Sequence, residues 1–157
     1  MHHLFGNYPC GLINADGTLR ENYRAFELFG GFVGDRLVES ECKAGVFRYG
    51  QPGRSSATDF NGLIPYVEAV PSFSVQAGRT DNTLYLLMIN RYSDRSVEAD
   101  IDIGADPASP TARIRILSGD DIDLPGSKLD EREVKVSRRF THRVEPYSAQ
   151  IIAVKIK

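Results

Sequence analysis

The most constraining feature is the alternation of residues 96–103. Val97, Ala99, Ile101 and Ile103 fall on one side, and Glu98, Asp100 and Asp102 on the other. A period of two gives an extended strand one apolar and one wet face, which a helix cannot do. Residues 112–117 repeat the scheme, with Ile114 and Ile116 against Arg113 and Arg115. Residues 83–90 are apolar at nearly every position, as in a strand buried on both faces. Further short runs lie at 36–42, 45–49, 66–76, 133–136, 140–144 and 149–156, and Pro71 interrupts the third of these. Proline donates nothing to a ladder, so that strand needs an edge or a bulge. Such a series, punctuated by turn residues, predicts an all-β fold. The expected architecture is an antiparallel, jelly-roll-like β-sandwich of about eight strands preceded by one N-terminal α-helix. The acidic face of 98–102 and the basic face of 113–115 are expected to lie on adjacent strands, pairing charge across a wet surface.

The helix is expected at about residues 19–30. Asp16 and Gly17 form a turn dipeptide, and Thr18 with Glu21 has the spacing of a capping box. Leu19, Tyr23, Phe26 and Phe29 then build one apolar stripe opposite Arg20, Glu21, Arg24 and Glu27. Gly30 and Gly31 end it, which places Phe32 and Val33 in the connection to the strands. With Leu4, Phe5 and Tyr8, the stripe is a large apolar surface near one terminus. A sandwich that fills its own core does not require it. It belongs to an upstream domain or packs across one sheet.

The 157 residues suit one domain and fall short of a complete (β/α)₈ barrel, which takes about 200 or more. Lys and Arg total 19 and Asp and Glu 21, a formal charge of −2 that draws neither nucleic acid nor anionic membrane. No apolar run approaches the ~18 residues of a membrane span, and the first residues lack a basic region followed by an apolar core. A soluble, cytoplasmic domain is expected. Cys10 and Cys42 are too few for a disulfide scaffold and are expected to be free, partly buried thiols.

Signals for chemistry are weak. Glu98, Asp100 and Asp102 lie on a flat solvated strand face, unlike a pair of hydrolytic carboxyl groups in a cleft. Asp120, Asp121 and Asp123 are the densest acidic cluster, but their spacing departs from a calcium loop. His2, His3 and His142 offer no transition-metal spacing. Ser55 and Ser56 sit in a Gly/Pro/Ser-rich stretch from 50 to 62, with no nucleophile elbow. The glycines at 30, 31 and 34 match no phosphate-binding fingerprint. Trp, the strongest sugar-stacking platform, is absent, leaving Tyr49, Phe60, Tyr66, Tyr92 and Tyr147 as rings that could stack a sugar or simply pack. No catalytic residue, cofactor or metal site is expected.

Five segments carry a resemblance. Residues 11–26 (GLINADGTLRENYRAF) are similar to the segment that leads into the last helix of a (β/α)₈ glycosidase barrel. Residues 67–70 (VEAV) and 84–91 (LYLLMINR), 116–123 (ILSGDDID) and 146–152 (PYSAQII) resemble successive strands and turns of the sandwich that follows it. Together they resemble the C-terminal domain of family 51 α-L-arabinofuranosidases; residues 124–134 depart from that pattern. The resemblance implies a terminal strand and helix of a barrel at 1–33 and a C-terminal β-sandwich at 34–157. It also implies a parent that hydrolyses terminal α-L-arabinofuranosyl residues in arabinose-containing polysaccharides. The family's acid/base glutamate follows an asparagine; no such dipeptide occurs here, and neither catalytic glutamate is carried over. The expected role is therefore a non-catalytic domain ancillary to that barrel, with the barrel or a second copy meeting the N-terminal helix. A free-standing carbohydrate-binding module is the alternative, and an independent enzyme would need its own carboxyl pair.

Overall fold

The computed structural model describes residues 12–14, 16–30, 32–49, 67–119 and 126–157. Leu4, Phe5, Tyr8, Cys10, His2, His3, Ser55, Ser56, Phe60, Tyr66 and the 120–123 cluster, singled out in the sequence, lie outside them. Among the described residues one helix, α1 (Glu21–Phe29), precedes ten strands. They are β1 (Arg36–Val38), β2 (Val46–Tyr49), β3 (Val67–Pro71), β4 (Phe73–Arg79), β5 (Thr83–Asn90), β6 (Val97–Asp102), β7 (Thr111–Ser118), β8 (Lys128–Lys135), β9 (Arg139–Val144) and β10 (Ser148–Lys155).

Six strands form one antiparallel sheet in the order β1-β4-β5-β10-β7-β8. The pair β6-β9 covers one face of it, and β2-β3 is a separate hairpin. The central strand β10 shows how the sequence divides the two faces. Ile152 and Val154 join Leu84, Leu86, Met88, Ile114, Ile116 and Val144 in the core under β6-β9. Ala149, Ile151 and Ala153, the alternate positions, face α1 instead. Each fully buried aliphatic side chain contributes roughly 1.5–3 kcal/mol, so the inter-sheet core dominates stability.

The strand break falls at Ser72, one residue after Pro71, where the chain leaves the hairpin for the main sheet. Ser72 holds that corner by donating both its backbone N–H and its hydroxyl to the Gly45 carbonyl, at 2.9 and 2.7 Å. The run expected at 133–136 begins at Lys128, since β8 is an edge strand whose mostly exposed, charged residues hide its period.

The expected charge pairing is corrected. β6 and β7 are not neighbours: β6 pairs with β9, and β7 with β8. Asp102 accepts from Arg139 at 2.7 Å and Asp100 from the Thr141 hydroxyl at 2.8 Å. Arg113 and Arg115 both bind Glu131, at 2.7 and 2.9 Å. Each face finds its counter-charges, but on other strands, because the chain crosses between sheets after β6.

Asn90 ends β5 with a buried amide. Its Nδ2 donates to the carbonyls of Arg95, Val144 and Glu145 at 3.0–3.1 Å, and its Oδ1 accepts from the Tyr92 N–H at 3.0 Å. One side chain thus ties two of the connections between the two sheets, β5 to β6 and β9 to β10.

Candidate functional site: the outer face of α1

The turn before α1 differs from the expected capping box. Asp16 takes the Thr18 hydroxyl at 2.7 Å and the Thr18 N–H at 3.0 Å. Gly17 supplies the positive φ of the turn (86°). The Thr18 hydroxyl oxygen, which a capping box would turn to the Glu21 N–H, instead accepts from Asn14 Nδ2 at 2.8 Å. The bonds from Thr18 hold the Asp16 carboxyl below its ordinary pKa. The helix starts later, at Glu21, with an extended Arg20 at the N-cap and no side-chain cap.

The apolar stripe is also corrected. The residue that packs α1 on the sheet is Leu28, 1% exposed, together with Phe32, 5% exposed, beyond the helix end. They pack with Ile151 and partly buried Tyr85, Leu87, Leu117 and Leu129. Phe26 lies about 200° around the helix from Leu28, on the opposite side. It is 64% exposed, and Leu19 and Phe29 are exposed with it. Helix α1 therefore has two apolar faces, one seated on the sheet and one turned away. The i, i+4 spacing of Leu28 and Phe32 is the signal that identifies the seated face, and Gly30 and Gly31 between them disguise it.

An arginine from the sheet fastens the helix. The last turn of α1 carries no basic residue. Arg115 on β7 donates one guanidinium nitrogen to the carbonyls of Gly30 at 2.6 Å and Glu27 at 3.3 Å. Its guanidinium also lies 4.4 Å from the centre of the Phe32 ring. A cation at the C-terminal carbonyls complements the helix dipole. Glu131 holds the guanidinium from the other side, and its carboxyl is pushed below the usual range, first by the Arg115 hydrogen bond.

Beyond the helix, the chain crosses back over β4 at Gly34. A Cβ there would lie 2.0 Å from the Arg79 backbone nitrogen, so only glycine fits. Val33 and Leu37, 52% and 81% exposed, extend the ridge begun by Phe26 and Phe29. Between this ridge and the sheet lies an apolar socket of about 140 Å³.

The other candidates are structural parts. Tyr92 has Arg95 over its ring at 3.9 Å, and a hydrogen bond to Ser72 is the first cause of its lowered pKa. Tyr147, at φ 43°, donates its N–H to the Tyr92 carbonyl. The side chain of Tyr49 lies outside the description. His142 Nε2 meets Oε1 of fully buried Gln150 at 2.9 Å, and Gln150 donates to the Ser148 hydroxyl at 3.2 Å. Cys42 is free and exposed rather than partly buried. A cleft of about 890 Å³ lies between the 38–45 segment, β4-β5 and β6. Glu39, Glu41 and the three β6 carboxylates Glu98, Asp100 and Asp102 lie along it, and the last two are engaged by β9. The Gly104 N–H, then Arg139, hold Asp102 below its ordinary pKa, the reverse of what a general acid requires.

No family model and no curated protein matches the sequence. Among solved structures, the chain superposes on part of the thermostable GH51 α-L-arabinofuranosidase from Thermotoga petrophila RKU-1. The TM-score is 0.82 at 20% identity, covering 98% of this chain and 33% of that one. It matches the α-L-arabinofuranosidase from Thermotoga maritima, in its arabinose complex, with TM-score 0.78 at 21% identity, over 94% and 32%. A family 30 subfamily 8 xylanase from Clostridium acetobutylicum follows at 0.60 and 12%, over 96% and 32%. The chain thus spans about a third of the length of these proteins. The likeness is one of fold, and it bears out the resemblance read from the sequence at that level.

Proposed function

We propose that this chain is a non-catalytic β-sandwich domain ancillary to a glycoside hydrolase. That hydrolase would remove terminal α-L-arabinofuranosyl residues from arabinose-containing polysaccharides. The outer face of α1 would seat against its catalytic (β/α)₈ barrel. The single observation that carries this reading is the pair of opposed apolar faces on α1. A helix that only covered a sheet would turn polar residues outward. Covering Phe26 alone contributes about 3 kcal/mol, so the ridge as a whole is a strong docking element. The arabinofuranosidase neighbours, three times as long as this chain, support the identity of the partner.

Two measurements test it. The purified chain should show no turnover of p-nitrophenyl α-L-arabinofuranoside; turnover above the no-protein blank overturns the non-catalytic role. In light scattering the chain should self-associate weakly, and Phe26→Asp should abolish this without loss of stability, because the side chain is already 64% exposed. A tight dimer through this face would assign it to a second copy instead. Saturable heat on titration with arabinan fragments would favour a carbohydrate-binding module.

A further inference from the structure

The socket beside α1 has the size and chemistry of a receptor for one side chain. Its floor is Gly78 on β4 with Tyr85 and Leu87 on β5, and its wall is Phe29, Val33 and Leu37. Gly78 contributes no side chain, which leaves the space open; a Cβ there would lie 3.1 Å from the Gly34 nitrogen. The two glycines thus set the depth of the socket by letting the chain pass close over the sheet. Tyr85 is held by an edge-on contact with the buried Phe32 ring, at 6.2 Å and 69°. Among the described residues no charged side chain lines the space, and Gln76 is the one amide at its border. A sugar or an ion would find almost no partners there. A cavity of about 150 Å³ with aliphatic walls takes up benzene, so about 140 Å³ matches one phenyl or isobutyl group.

We propose that this socket receives one large apolar side chain, Phe or Leu, from the barrel that docks on α1, and so fixes the position of the docked domain. The proposal rests on the reading above and deepens it. Phe29, Val33 and Leu37 of the ridge wall the socket, and about two-thirds of the matched proteins' length lies outside this chain. An anchor residue filling a central apolar pocket is the usual source of specificity in such a contact.

Toluene and benzylamine, which differ by an ammonium group, serve as probes of the whole chain in methyl NMR. Toluene should shift the methyl signals of Val33, Leu37 and Leu87 saturably, and benzylamine should bind at least tenfold more weakly. Gln76→Trp, an exposed position at the socket border, should abolish the toluene shifts, and Phe26→Asp, on the ridge outside it, should leave them unchanged. No saturable shift, equal binding of the two probes, or shifts centred on Leu86 and Met88 would overturn the socket. The two readings fail separately: arabinofuranosidase turnover by the chain alone removes the ancillary role while the toluene result stands, and the absence of toluene binding removes the socket while the role stands.

Discussion

Removing the arginine that fastens α1 should release the helix while leaving the sandwich folded. In Arg115→Ala the carbonyls of Glu27 and Gly30 lose a charged donor, and the Phe32 ring loses the cation 4.4 Å from its centre. Hydrogen bonds to charged groups are worth about 1.5–3 kcal/mol each and ring stacking about 0.5–1. The Arg115 side chain is 23% exposed, and water replaces part of what is lost. A net cost of about 2 kcal/mol follows, charged to helix docking alone, because the inter-sheet core does not touch Arg115. Native-state hydrogen exchange resolves this. Amides of the second half of α1 should exchange roughly 30-fold faster, while those of β5 and β10 keep their rates. Arg115→Lys should fall between, since an ammonium still donates but does not lie flat on the ring. Equal acceleration in α1 and β10, or no change in α1, would refute the fastening.

Gly34→Ala should lower the urea midpoint by the equivalent of about 3 kcal/mol, since its Cβ would meet the Arg79 backbone at 2.0 Å and the sheet must yield. Asn90→Ala removes the buried amide that donates to the carbonyls of Arg95, Val144 and Glu145 and should cost about 3 kcal/mol in the same assay; Asn90→Asp, with no amide donor, should do no better. Glu131 has its pKa lowered in the folded chain, so its contribution is complete above the ordinary carboxylate range and is lost as pH falls through the folded value. Protection of α1 should therefore weaken under acid, and Glu131→Gln should flatten that dependence.

The sandwich was legible because its two central strands obey simple rules. Residues 83–90 and 148–155 carry apolar side chains on both faces, and β5 spans Thr83–Asn90 as the sequence predicts. Strand partners were not legible. The acidic 98–102 face can be satisfied by any basic strand, and Arg139 competes with Arg113 and Arg115 on equal terms until the crossover decides. The site was half legible. The stripe of Leu19, Phe26 and Phe29 is visible in sequence, but a hydrophobic stripe does not say which body covers it. Here the sheet selects Leu28 and Phe32 through Arg115, a contact 85 residues away in sequence from Gly30 that no local pattern reveals.

The same contacts hold α1 to the sheet: Leu28 and Phe32 are buried against it and Arg115 binds the helix end. The outer side of α1, by contrast, has its apolar residues exposed. Energetically, α1 is thus packed as part of the sandwich, and the docking surface proposed for it is already in place on the folded chain. A preformed ridge avoids the ordering cost of a helix that folds on contact, about 1–2 kcal/mol per residue of backbone. For that reason the helix, rather than the strands, is where substitutions should separate the stability of this domain from its attachment. Phe26→Asp disturbs attachment at little cost to folding, and Arg115→Ala loosens the helix first and attachment as a consequence.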